Sequence, residues 1–158
     1  MAAFTARGKA QILSEGGSQA WRLSSSRANK YEYVVCVQNT TPTWGSPEAK
    51  HHEAFLVGRI SSVTKSKEGQ GVRWILNFDA YADISVADQW DGNRNPVAYS
   101  HLEDMGIDID DLDFKKMPDP VPESNNSGIR PLTLSEAKEG LALNFCVDKD
   151  DIEITIKG

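Results

Sequence analysis

Between Tyr31 and Val86 the chain carries four runs of β-branched and aromatic residues separated by turn-forming segments, and no other feature restricts its fold so strongly. Tyr31-Glu-Tyr-Val-Val-Cys-Val-Gln38 suits a pleated sheet surface and ends at the turn-prone Asn39-Thr-Thr-Pro42, which predicts a central strand. After the loop Thr43–Glu53, the run Ala54–Val63 reads as a second strand, with Gly58 permitting a bulge or a close approach. Lys65–Gly71 is a polar hairpin loop with two glycines. It leads into Val72–Phe78, where Val72, Trp74, Leu76 and Phe78 share one face by period-two alternation. Tyr81–Val86 is expected to be a separate extended piece. Short loops favour antiparallel pairing, so the expectation is an α+β protein built on a compact, mainly antiparallel β-barrel with short peripheral helices. Residues 1–30 show only a short amphipathic segment ending at Gly16-Gly17, then Trp21 and the Ser24–Ser26 run.

The second half is organised differently. Ser100-His-Leu-Glu103 has capping-box spacing, and Gly106 is placed to stop the short helix that would follow. Ile107–Phe114 is acidic, with Ile109, Leu112 and Phe114 expected to turn inward. Residues 117–131 have the composition of a linker, with three prolines in Met117–Pro122 followed by a polar tail. Thr133-Leu-Ser-Glu136 is another capping box, and Leu134, Ala137, Leu141, Ala142 and Phe145 recur at helical spacing. Ile152, Ile154 and Ile156 then alternate with polar residues, predicting a half-buried strand. The expected organisation is a barrel over 1–116, a linker over 117–131, and a helix–strand extension over 132–158. That extension is too small to hold a core alone, so it is expected to dock on the barrel or on a partner.

Composition narrows the function classes. The 158 residues are 39% apolar and 25% charged, ordinary for a globular protein, and no apolar run reaches the length of a membrane span. The N-terminal residues lack the layout of a signal peptide, so a cytoplasmic location is expected. Cys36 and Cys146 lie in apolar runs and read as buried thiols. The net charge of −6 hides an asymmetry: residues 1–75 hold ten Lys/Arg against five Asp/Glu (+5), and residues 76–158 hold seven against eighteen (−11). The basic half suits phosphates, and the acidic half suits a basic protein.

Candidate sites are few. There is no Gly-rich phosphate loop, nucleophile elbow or HExxH, so no catalytic residue is assigned and a binding role is expected before an enzymatic one. His51-His52-Glu53 lacks the three or four converging ligands zinc requires, and Asp108–Asp113 lacks the Gly and Glu of an EF-hand, so neither metal nor cofactor is expected. Trp44 sits in a loop flanked by Pro42, Gly45 and Pro47, either as a stacking platform or folded back on the core. Trp74, on the apolar face of a strand, reads as core. Trp90, Arg94 and Asn95 surround the turn Asp91-Gly92-Asn93 and together supply a stacking face, a planar fork and an amide. Arg94 paired with Asp88 or Asp91 in an ordinary turn is the competing reading.

The tract Trp90-Asp-Gly-Asn-Arg-Asn95 resembles the Trp-Asp-Gly-x-Arg-Asn motif of EVE domains, members of the PUA-like superfamily that also holds ASCH and YTH domains. Ala54–Val63 is similar to the strand beside the ligand pocket in those barrels, and the resemblance spans about residues 20–115. It implies a PUA-like barrel that binds nucleic acid, DNA or RNA, with a modified base among the ligands. Trp44, Trp90, Arg94 and Asn95 would then contact the base, and Lys50, His51, Arg59, Lys65, Lys67 and Arg73 would face phosphates. Two rivals stand beside it. One is an acidic interaction protein whose segment 79–123, with twelve acidic residues against three basic ones, mimics phosphate charge to inhibit a nucleic-acid enzyme. The other is a small ASCH-like nucleoside hydrolase using a Lys and a carboxylate such as Lys50 and Glu53.

Overall fold

The computed structural model describes residues 1–118 and 148–154, together with Ser135, Ala137, Lys138 and Ala142. The chain divides into two compact units, Met1–Val121 and Pro122–Gly158. The first unit is mixed α+β and consists of β1 (Ala2–Thr5), α1 (Lys9–Ser14), β2 (Gly17–Trp21), α2 (Ser25–Ala28), β3 (Tyr33–Gln38), β4 (Ala54–Lys65), β5 (Trp74–Val86), β6 (Val97–Ala98) and β7 (Lys115–Lys116).

All seven strands join one sheet in the order β2-β5-β4-β3-β1-β6, with β7 added to the far half of β5. The β1–β3 pair is parallel, in the register Ala2↔Val35 to Thr5↔Gln38, and the other pairs are antiparallel. A parallel pair needs a crossover, and α1, β2 and α2 supply it. β3 is central, as its composition predicts. Val34 and Cys36 pack into one apolar cluster while Val35 and Val37 pack into another, so both faces of the strand are covered. The first cluster also takes Ile12, Leu56, Leu76 and Phe78, and the second takes Val57, Trp90 and Ile107.

The expected closed barrel is replaced by an open sheet. Closure would require β2 and β6, at opposite ends of the strand order, to bond to each other, whereas β2 pairs only with β5 and β6 only with β1. β6 is two residues long and follows Pro96, which has no N–H to donate.

Three further expectations are corrected. Val72–Phe78 and Tyr81–Val86 are not two pieces but one strand of 13 residues, because Leu76, Phe78, Ala80 and Ala82 hold the same buried phase across Asp79. Val72 lies outside that strand and is 65% exposed. The helix expected from Ser100 is a single 3₁₀ turn, Glu103–Met105, ended by Gly106 at φ 65°. There Asp104, rather than Glu103, reaches back, accepting the His101 N–H at 3.0 Å. Met117, placed at the head of the linker, is buried in the core, and its N–H donates to the Asp79 carbonyl at 3.0 Å.

Residues 119–131 of the expected linker and Cys146 lie outside the described residues. In the second unit Ser135, Ala137, Lys138 and Ala142 are helical, within the stretch whose spacing predicts a helix. A 3₁₀ turn follows at Lys149–Asp151, where the Lys149 ammonium donates to Ser135 Oγ at 2.8 Å. Ile152–Ile154 forms no strand, and the remainder of the strand expected there lies outside the described residues.

Candidate functional site

The two free edges of the sheet flank a cavity of about 620 Å³, within the usual size range of ligand pockets. Gln19, Ala20 and Trp21 of β2 form one wall, Asn95 and Pro96 ahead of β6 another, and the end of β1 from Phe4 to Arg7 lies between them. Trp44, Arg94 and Asn95 all line this cavity, so three of the four expected base contacts converge although fifty residues separate the first two. Arg73, from the expected phosphate-facing set, lines it as well, and so do Arg7 and Arg22. Four guanidinium groups and no carboxylate are among the lining residues.

The turn carrying Arg94 and Asn95 is shaped by consecutive side-chain caps. Asp91 Oδ1 accepts from the Asn93 N–H at 3.0 Å, Asn93 Oδ1 from the Asn95 N–H at 3.1 Å, and Asn95 Oδ1 from the Val97 N–H at 3.4 Å. Gly92, at φ 82°, makes the reversal. Arg94 is exposed and forms no ion pair among the described residues, with Asp88 and Asp91 included. Its fork is therefore open to a ligand.

Trp90 takes a different place from the one expected. It is 7% exposed and stacks on Phe4 at 4.9 Å with planes 7° apart, and it does not line the cavity. Burial removes its faces from any base, and its role is to anchor the turn. The neighbouring Gln89 N–H donates to the His52 carbonyl at 2.8 Å, adding a second anchor.

Trp44 is 65% exposed. Its loop is pinned to the end of β1: the Ser46 N–H donates to the Ala6 carbonyl at 3.1 Å, and Gly45 packs so closely on Ala6 that a Cβ there would collide with it. The indole is therefore held at the cavity mouth rather than folded into the core. Arg7 lies beneath it, with Cζ 5.6 Å from the ring centroid. Arg7 donates from Nε to Glu15 at 2.8 Å and from Nη2 to Glu68 at 2.5 Å. Burial works against its charge, but the two carboxylates outweigh that and raise its pKa. Arg73 is braced by bonds to the carbonyls of Gln70 (3.2 Å) and Ala20 (3.4 Å).

The other residues expected to face phosphates do not line this cavity. Arg59 donates to Asp79 at 2.7 Å on the exposed face of the β4–β5 ribbon, so its charge is matched. Lys50 lines a separate cleft of about 380 Å³ with Glu53, Lys9 and Asp83. Within it Glu53 accepts from Ser85 Oγ at 2.6 Å and from the Lys50 N–H at 3.0 Å, bonds that lower its pKa. His51 stacks on His52 at 4.1 Å and accepts the Thr40 N–H through Nδ1. Lys65 ends β4 and Lys67 lies in the hairpin loop, both exposed.

Among the described residues no group of His, Cys, Asp and Glu is arranged to hold a metal ion, and no helix is long and apolar enough to cross a membrane. A larger cavity of about 720 Å³ lies at the other end of β1 and β3. It mixes Arg27, Lys30 and His101 with Glu32, Glu103 and Asp108, and holds none of the predicted site residues. Sequence reasoning missed Arg7 and Arg22. Both follow short strands, Ala2–Thr5 and Gly17–Trp21, in which Ala, Gly, Ser and Gln dilute the β signal of Phe4, Thr5 and Trp21. Comparison with protein-family models, with curated proteins and with solved structures gives no match for this chain.

Proposed function

We propose that this protein binds nucleic acid, taking an unpaired base, modified or plain, into the cavity between the sheet edges. One observation carries the reading: Trp44, Arg94 and Asn95, distant in sequence, meet in a cavity lined by four arginines and no acid. A base would stack on the exposed Trp44 ring, and Arg94 with the Asn95 amide would read its edge. Arg22 and Arg73 would meet flanking phosphates. The resemblance of Trp90–Asn95 to the EVE motif supports the same assignment, with Trp90 acting as the anchor and Arg94 and Asn95 as the contacts.

The test is a tryptophan-fluorescence titration with short single- and double-stranded DNA and RNA, plain and base-modified, on wild type, Trp44→Ala and Arg94→Ala. Saturable quenching is expected in wild type and is absent from Trp44→Ala. Arg94→Ala weakens binding about tenfold, the scale of one bidentate contact, with an unchanged thermal transition. Wild-type protein that responds to none of these ligands overturns the reading, as does an Arg94→Ala variant that binds as wild type does.

A further inference from the structure

Of the four guanidinium groups of the cavity, Arg7 alone is ion-paired among the described residues, and its two partners differ. Glu15 has a side chain 19% exposed and is fixed from several directions, accepting from Arg7 Nε, from Gln11 Nε2 at 2.7 Å and from Gln19 Nε2 at 3.2 Å. Glu68 has a side chain 54% exposed, while that of Arg7 is only 5% exposed. Glu68 comes from the loop joining β4 to β5 and grips Nη2 with both oxygens, at 2.6 and 2.5 Å. It is placed as an anion from outside would be, two oxygens against the guanidinium beside a cavity whose charged lining residues are all arginines. Gly69 and Gly71, at φ 87° and 75°, follow it in the loop, and a Cβ at Gly71 would point into open space. Glu15 alone balances the charge of Arg7, so a second carboxylate is not needed to keep the guanidinium buried.

We propose that Arg7 is a phosphate subsite of the cavity and that Glu68 is its resident stand-in, displaced when a ligand phosphate enters. This deepens the nucleic-acid reading and rests on it for the identity of the ligand, while the anion subsite itself can be probed with inorganic pyrophosphate. Exchange of one oxyanion for another keeps Arg7 paired throughout, so entry of the phosphate never exposes an unpaired buried charge. Release of Glu68 also removes one tie of the β4–β5 loop, which stays joined to β2 through Ser66 Oγ to Gln19 at 2.8 Å and through Arg73 to the Ala20 carbonyl at 3.4 Å.

The experiment measures affinity for pyrophosphate and for a short single-stranded oligonucleotide in wild type, Glu68→Gln, Arg7→Lys and the Arg7→Lys/Glu68→Gln double variant. Glu32→Gln, an exposed acid remote from Arg7, controls for net charge. Glu68→Gln is expected to bind both probes about three- to fivefold tighter than wild type, the scale of one exposed ion pair, and Glu32→Gln to change less than twofold. In the Arg7→Lys background the gain is lost, because the fork that both anions share is gone. Hydrogen exchange over residues 66–71 is expected to speed up when wild type is saturated. A Glu68→Gln affinity no different from Glu32→Gln, or a gain that persists with Lys at position 7, overturns the proposal. If Arg7→Lys loses its thermal transition, the comparison of Glu68→Gln with Glu32→Gln decides alone. Pyrophosphate tightened by Glu68→Gln with no oligonucleotide binding leaves the subsite and removes the nucleic-acid reading. Oligonucleotide binding that needs Arg94 yet ignores Glu68 does the reverse. Binding of neither probe removes both.

Discussion

Trp44 and Trp90 are the same side chain put to opposite uses. Trp90→Ala removes a buried indole stacked on Phe4, and is expected to cost about 3–5 kcal/mol, read as a lower denaturation midpoint. Trp44→Ala is expected to leave that midpoint within the range of surface substitutions, because the ring is mostly in solvent. Cys36 makes a second contrast with reactive thiols. It is fully buried in β3, and burial pushes its thiol up to about 12 despite a hydrogen bond with Ser18, so it is neutral at any ordinary pH. Labelling with iodoacetamide at pH 8 is expected to spare Cys36 in the folded protein and to modify it in denaturant, read by peptide mass.

At the scale of elements, the β4–β5 ribbon organises everything else. Gly58 in β4 lies against the Phe78 ring of β5, and a Cβ there would overlap it. Gly58→Ala is expected to destabilise the fold by about 1–3 kcal/mol, the usual cost of overpacking, with partial recovery when Phe78→Leu is added. Across the same ribbon, Asp83 of β5 ties in two neighbours, pairing with Lys9 of α1 at 2.6 Å and Lys115 of β7 at 2.9 Å. Its partial burial raises the pKa, but these two ammonium groups outweigh that and hold it below the ordinary carboxylate value. A depressed folded pKa contributes stability that is complete above the unfolded value of about 3.9 and is lost as pH falls through the lower folded one. Asp83→Asn is therefore expected to be less stable than wild type at pH 7, with the gap closing as pH falls below about 4, measured by thermal denaturation.

What the sequence disclosed follows from the same elements. β3 and β4 are legible because they concentrate Val, Leu, Phe and Cys, and the hairpin loop because it concentrates charge and glycine. β1 is not, since Ala2 and Ala3 owe their burial to tertiary packing and carry little strand preference of their own. Missing β1 meant missing the parallel pair, the crossover through α1 and α2, and the end of β1 where Arg7 meets the cavity. Trp44, Arg94 and Asn95 were legible as residue types suited to a base. Their convergence was not, because it depends on how the sheet edges approach, which no local pattern encodes.

For the molecule as a whole, the net charge of −6 and the cationic cavity are compatible because the charges are segregated. Affinity for a single-stranded oligonucleotide is expected to fall about seven- to twentyfold between 50 and 200 mM salt, the slope for two or three phosphate contacts. A basic protein binding the acidic segment 79–123 would also be salt-sensitive, but Arg94→Ala, which removes one of that segment's three positive charges, would strengthen such binding rather than weaken it. Part of the acidity in that segment is already matched, at Asp79 by Arg59 and at Asp83 by Lys9 and Lys115.

The parallel pairing of β1 with β3 has a consequence for how the chain reaches this state. About thirty residues must be looped out before Ala2 meets Val35, and Arg7, Trp44, Arg73 and Arg94 share no local segment. Structure of such high contact order forms slowly, since loop entropy is lost before any contact compensates for it. A nascent chain that ends before Arg94 lacks the wall formed by Arg94, Asn95 and Pro96. The cavity is therefore complete only with the finished sheet, and if Trp44 quenching by an oligonucleotide reports on it, the refolding trace followed by that quenching is expected to coincide with the trace followed by backbone circular dichroism.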